Sequence, residues 1–184
     1  MKWRAPQLWT WLITGVLCWI ATARGFQAPP VSVGQLSSAA EIVVHGKVLS
    51  KSCQKDATGR IFTKIELKVD EVWKGSITND PFTIVHGGGV LGEQRVVVSG
   101  QVEYRVGEEV VAFVVLNERG EGVTVSLAQG KFTVFAGEAG QKIASPSFLR
   151  APPPPRGHAT SPARSDHGSL RLEDLKRQVQ GATR

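Results

Sequence analysis

An all-β domain behind an export signal is the fold class that the 184-residue sequence predicts. Residues 61–70 alternate between a core face and a largely polar one over a full strand length. Seven consecutive apolar residues, Val110 through Leu116, read as a central strand buried on both faces, where β-branching argues against a helix. Turn-forming residues recur between such runs at nearly regular spacing. Seven short strands in roughly 100 residues imply a small closed or partly open barrel, with a β-sandwich as the alternative.

Lys2 and Arg4, the apolar run from Leu8 to Ile20 and the small residues Ala21-Thr22-Ala23 form a secretory signal with cleavage expected after Ala23. The apolar run is shorter than a bilayer span, and no second one follows. The residues divide into a signal peptide (1–23), a leader (24–38), a β-barrel domain (39–137), a Pro-rich disordered linker (138–168) and a short amphipathic helix with the C-terminus (169–184).

Within the domain, Leu36 to Glu41 leads into a first strand, Ile42 to Leu49, and a turn with Asp56 and Gly59 follows. In the second strand, Arg60 to Trp73, Ile61, Thr63, Ile65, Leu67 and Val69 share the core face. The alternation breaks at Asp70-Glu71-Val72, where a bulge would return Val72 or Trp73 to the core. Asn79-Asp80-Pro81 turns the chain into Phe82 to Val85, which ends in Gly87-Gly88-Gly89; Val96 to Val98 is a brief fourth strand. Glu108 to Leu116, a loop over 117–122, Val123 to Leu127 and Lys131 to Phe135 complete the set. Pro152 to Pro155 is a polyproline spacer without means of packing. Ser169 is placed to cap a helix in which Leu172, Leu175 and Val179 share one face.

The formal charge of +6 is not spread over the domain. Residues 24–149 hold 13 Lys or Arg against 13 Asp or Glu, and the excess lies in the signal and the tail. A nucleic-acid groove is not indicated. Of the two cysteines, Cys18 leaves with the signal, so Cys53 is alone and no internal disulfide forms in the exported chain.

His86-Gly87-Gly88-Gly89 matches an esterase oxyanion loop, yet no G-x-S-x-G elbow accompanies it. The same glycines lack the Lys-Ser or Lys-Thr of a phosphate loop. His45 and His86 give a metal-dependent hydrolase two ligands, with Glu93 or Glu41 as a third, and nothing in the spacing selects one. Trp73 is a stacking platform or a core plug. Gln129 and Lys131, flanking Gly130, would point to one side of a strand and present polar groups to a partner.

Several blocks carry a resemblance: Ala40-Glu41-Ile42-Val43-Val44-His45-Gly46-Lys47-Val48, then Val69-Asp70-Glu71-Val72-Trp73-Lys74-Gly75, then Tyr104-Arg105-Val106-Gly107-Glu108-Glu109-Val110 through Phe113, then Leu127 to Phe132. Over about 40–135 they look like a family of secreted bacterial proteins of unassigned function. The first three also resemble the barrel of tissue inhibitors of metalloproteinases and netrin-type modules, which implies an OB-fold. Inhibition in that family uses a cysteine at the mature N-terminus, whereas this chain would begin Arg24-Gly25-Phe26, so no inhibitory residue carries over.

The expected function is that of a secreted, periplasmic or envelope β-domain that is not an enzyme and binds another protein, a secreted protease or an envelope component. Strand-end loops at 86–95 and 128–131 would make the contact, with His86, Gly88, Gln129, Lys131 and Trp73 as candidate binding residues. No catalytic residue, metal, cofactor or nucleic acid is expected. The alternatives are a small secreted hydrolase built on His45 and His86 and a structural surface protein that uses the Pro-rich segment as a spacer.

Overall fold

The computed structural model describes residues 31–137, 140–149 and 168–182. The signal reading, Cys18 and the Pro152 to Pro155 spacer lie outside them. The protein is mostly β. Its strands are β1 (Ile42–Lys55), β2 (Ile61–Lys74), β3 (Phe82–Gly87), β4 (Gly89–Leu91), β5 (Gln94–Val96), β6 (Glu109–Leu116), β7 (Gly122–Thr124), β8 (Lys131–Ala136), β9 (Lys142–Pro146) and β10 (Leu170–Arg171). Helices α1 (Val33–Ala39) and α2 (Leu172–Gly181) flank them.

Eight strands join in the order β1-β2-β3-β7-β6-β8-β9-β10. Because β1 also pairs with β6, strands β1, β2, β3, β7 and β6 close into a ring of pairings. All the ladders are antiparallel except β3 to β7, which meet in parallel at Ile84 and Gly122. The β4 and β5 pair is a separate two-stranded hairpin.

Alternation sorts the side chains into two cores. Ile42, Val44, Val48, Ile65, Leu67, Val110, Ala112 and Val114 point to one side and pack with Phe82, Ile84, Val102 and Tyr104. Val43, Val111 and Phe113, on the alternate positions, face the other side and meet Trp73, Phe132 and the two helices. Both faces of β6 are therefore buried, the physical reason for its unbroken apolar run.

β2 carries two bulges where its register with β1 slips. His45 faces Glu71 and Gly46 faces Val69, leaving Asp70 unpaired; Val43 faces Lys74 and Val44 faces Val72, leaving Trp73 unpaired. The bulges fall where the alternation breaks, and they turn Trp73, 6% exposed, rather than Val72 into the core. Gly46 makes this approach: a Cβ there would lie 2.1 Å from the Lys68 carbonyl oxygen.

Several elements depart from the sequence expectations. β1 continues to Lys55 through a polar stretch, because the β2 ladder holds its backbone whatever its side chains. The strand expected at Val123 to Leu127 stops at Thr124, and a 3-10 turn over Leu127–Gly130 follows, with Ser126 and Leu127 at φ of 49° and 55°. The strand expected at Val96 to Val98 ends at Val96, as β5 over Gln94–Val96, and β4 over Gly89–Leu91 precedes it. The sheet also runs past 137, since β9 lies inside the stretch read as linker.

Within the leader, Ser32 caps α1, accepting from Gln35 N while Gln35 Oε1 accepts from Ser32 N. Ser169 does not cap α2. Leu170 and Arg171 pair with β9 as β10, so the helix begins at Leu172, two residues later, and its Leu172, Leu175 and Val179 are buried in the outer core. Among the described residues, no helix is long and apolar enough to cross a membrane.

Candidate functional site

At the turn end of the β1–β2 hairpin lies an open cleft of about 840 Å3. Its floor is apolar: Ile61 and Phe62 of β2, Val85 of β3, Val96 of β5, Val98 and Val123. Arg60, Arg95 and Arg119 stand around it. Four separate segments converge there: the β1–β2 turn, the end of β3, the β4–β5 hairpin and the loop between β6 and β7. A second hollow of about 640 Å3, lined by Lys51, Cys53, Thr63 and Val97, shares His86, Arg95, Val96 and Val98 with the first.

The hairpin is held over the sheet by glycine geometry. At Gly88, φ is +77° and a Cβ would lie 2.7 Å from the Val96 carbonyl oxygen. At Gly89 a Cβ would lie 2.1 Å from Cys53 Sγ and 2.5 Å from Thr63 Oγ1. The glycine cluster is a close crossing of backbone over side chains. Thr63 Oγ1 donates to Gly88 O at 2.8 Å and fixes that crossing. Cys53 is half-buried despite its polar sequence neighbours, with Sγ 3.4 Å from Thr63 Oγ1.

His86 belongs to the wall of both hollows. Its Nδ1 lies 2.9 Å from Gly87 O, and its Nε2 is buried without a hydrogen-bond partner among the described residues. Burial pushes its pKa below the usual histidine value, and the Lys51 charge adds to the depression against the Gly87 hydrogen bond. Two of the arginines keep acidic neighbours: Arg60 Nε is 2.9 Å from Asp56 and Arg119 Nε is 3.1 Å from Glu121. Both side chains remain open to solvent, at 81% and 66% exposure, and Arg95 is exposed.

The sequence-derived candidates separate. His86 and Gly88 line the cleft; Trp73, Gln129 and Lys131 do not. Trp73 is the core plug rather than a platform, packed 5.7 Å from the His45 ring and donating to Glu71 Oε2 at 2.8 Å. The Gln129 side chain accepts from Val31 N at 2.7 Å. Lys131 is 2% exposed, because the 3-10 turn before β8 sends it inward. Its Nζ donates to Glu103 O and Glu108 Oε2, each at 2.6 Å, and lies 4.8 Å from the Tyr104 ring centroid. Thr133 Oγ1 donates to the other Glu108 oxygen at 2.7 Å. Burial opposes the Glu108 charge, but these donors prevail and hold its carboxyl below the usual range.

His45 and His86 are not brought together. His45 sits opposite Glu71 and His86 opposite Thr63, eight residues away along β2, which is about 25 Å of strand. His45 Nε2 instead contacts Glu109 Oε1 at 2.7 Å, a carboxylate that also accepts from Lys142. Among the described residues no three His, Cys, Asp or Glu side chains cluster as metal ligands.

Arg60, Phe62, Arg95, Val98, Arg119 and Val123 were not among the sequence candidates. Arg60 and Arg119 fall at turns that the sequence does announce, and only the closure of the ring brings those turns together. No protein-family model and no curated protein sequence matches the chain. Fold and site together define a mostly β protein with a ligand-sized apolar cleft rimmed by arginines.

Proposed function

We propose that this chain is an exported, non-enzymatic β-domain that binds another protein, a secreted protease or an envelope component, through the cleft beneath the β4–β5 hairpin. One observation carries the reading: four chain segments converge on an open, apolar-floored cleft whose volume falls in the range of ligand sites. Val96 and Val98 of its lining stay 44% and 41% exposed, and Val97 of the adjoining hollow 74%, an apolar patch of the sort that marks contact surfaces.

Strand order supports an OB-like barrel. The ring runs β1-β2-β3-β7-β6 and back to β1, with its parallel contact between β3 and β7, the third and fifth ring strands in sequence order. OB barrels bind ligands on the face of their second and third strands and on the loops joining strands one to two and four to five. The cleft here has the corresponding lining: β2, β3, the β1–β2 turn and the β6–β7 loop. The resemblance to secreted bacterial proteins and netrin-type modules accords with this architecture, and fold analogy alone assigns no activity.

Affinity capture from the secreted and envelope proteins of the source organism tests the reading, using the processed chain and a Val96→Asp variant. A dominant partner held by the native chain and lost by the variant is the expected result. Equal capture by both would move the contact away from the cleft.

A further inference from the structure

We infer that the occupant of the cleft is an extended acidic polypeptide segment, laid as an added strand along the free edge of β5. The inference rests on the cleft being the binding surface and names the chemistry of its partner.

Three features support it. First, β5 pairs only with β4 among the described residues, so its other edge has main-chain donors and acceptors to offer. Gln94, Arg95 and Val96 of that strand all line the cleft. An edge of this kind recognises an extended peptide by backbone hydrogen bonds, while alternate side chains enter pockets.

Second, the charges around the floor favour an anion. Arg60, Arg95 and Arg119 line the cleft against Asp56, while the adjoining hollow carries Lys51 and Glu103 together. Asp56 is already committed, accepting from Thr58 N, Thr58 Oγ1, Arg60 N and Arg60 Nε. Arg95 has no acidic partner among the described residues, and the exposed guanidiniums of Arg60 and Arg119 can accept a second carboxylate. A strand alternating apolar and acidic residues would set one row on Phe62, Val96, Val98 and Val123 and turn the other toward the arginines.

Third, the floor suits a peptide better than a nucleic acid. Among the described residues, Phe62 is the one carbocyclic aromatic in the lining, whereas single strands are held by successive stacking platforms.

Panning the processed chain against a phage-displayed library of random peptides, then measuring the enriched sequences by fluorescence anisotropy, tests this. The expected winners alternate Asp or Glu with apolar residues and weaken as salt rises. They should bind Arg95→Glu at least tenfold more weakly, and replacing their acids with lysine should restore binding to that variant. Melting curves of Arg95→Glu and Val96→Asp, both at exposed positions, establish that the fold is kept.

Winners weakened by Val96→Asp but without acidic enrichment would overturn this inference and leave the cleft as the binding surface. Winners indifferent to both substitutions would sink the two together. Tighter binding of an oligothymidine than of the acidic peptides, or no enrichment, would also overturn the inference.

Discussion

The Lys131 ammonium and the Glu108 carboxylate form a buried ion pair 2.6 Å long, with side chains 2% and 11% exposed. The pair ties β8 to the start of β6, and through Glu103 O it also holds the segment carrying Tyr104. Tyr104 is itself fully buried and bonds Thr124 at 2.8 Å. Removing one member of such a pair strands the other charge without water. Lys131→Ala is therefore expected to cost about 3–5 kcal/mol in urea unfolding, while Lys131→Met with Glu108→Leu together should cost less than Lys131→Ala alone. Additive costs for the two sites would show that the pair is not coupled.

Acid should unfold the protein in two stages. Glu108 has a folded pKa below its usual 4.5, so its contribution is present above that value and lost as pH falls through the folded one. His86 has a folded pKa below its usual 6.5, so protonation favours the unfolded chain and stability already falls between pH 6.5 and the folded value. NMR titration of the His86 ring should give a midpoint below 6.5. The urea midpoint should decline gently below pH 6.5 and steeply below 4.5, and Glu108→Gln should flatten the lower limb.

Trp73 reports on the docking of α2. It is the only tryptophan in residues 24–184, it shares a core with Leu172, Leu175 and Val179, and its Nε1 donates to the Glu71 carboxylate that Lys176 of the helix also contacts. Leu175→Ala is expected to cost about 2–5 kcal/mol, as for other buried leucines. Leu175→Asp should detach the helix and shift Trp73 emission to longer wavelength. Unchanged emission would place the tryptophan's cover elsewhere.

Gly46→Ala should be unusually damaging for so small a change. The added methyl would meet the Lys68 carbonyl oxygen across the β1–β2 ladder, and a backbone atom cannot swing aside. A loss of about 3 kcal/mol is expected, at the upper end of overpacking costs. Gly59→Ala, where a Cβ meets open space, is the control, with only the conformational cost of its φ of +81°.

Period-two alternation made β2 legible from its residues alone, and doubled burial did the same for β6. The polar half of β1 was hidden because its order comes from the backbone of β2, and Ser50 to Lys55 carry no apolar signal of their own. β9 was hidden for a related reason: Lys142–Pro146 is short and mixed, and it joins the sheet only because the β8 edge is there to accept it. Ser32 and Gln35 did spell a capping box for α1, a signal open to a closer reading. Of the site, the glycine crossing at 86–89 was visible as composition. The inward turn of Lys131 depends on the left-handed backbone at Ser126 and Leu127, which no glycine announces.

α1 and α2, far apart in sequence, close over the same core, and Ser37 Oγ donates to the Val179 carbonyl across 142 positions. Leu36 and Ala40 at α1 cover part of the face formed by Val43, Phe113 and Trp73, and Leu172, Leu175 and Val179, which follow β9 by some 26 residues or more, complete the cover. Contacts of such long range form late and slowly. The outer core is thus closed by two clasps drawn from opposite ends of the folded domain, and a chain cut before residue 172 would leave part of that apolar face open to water.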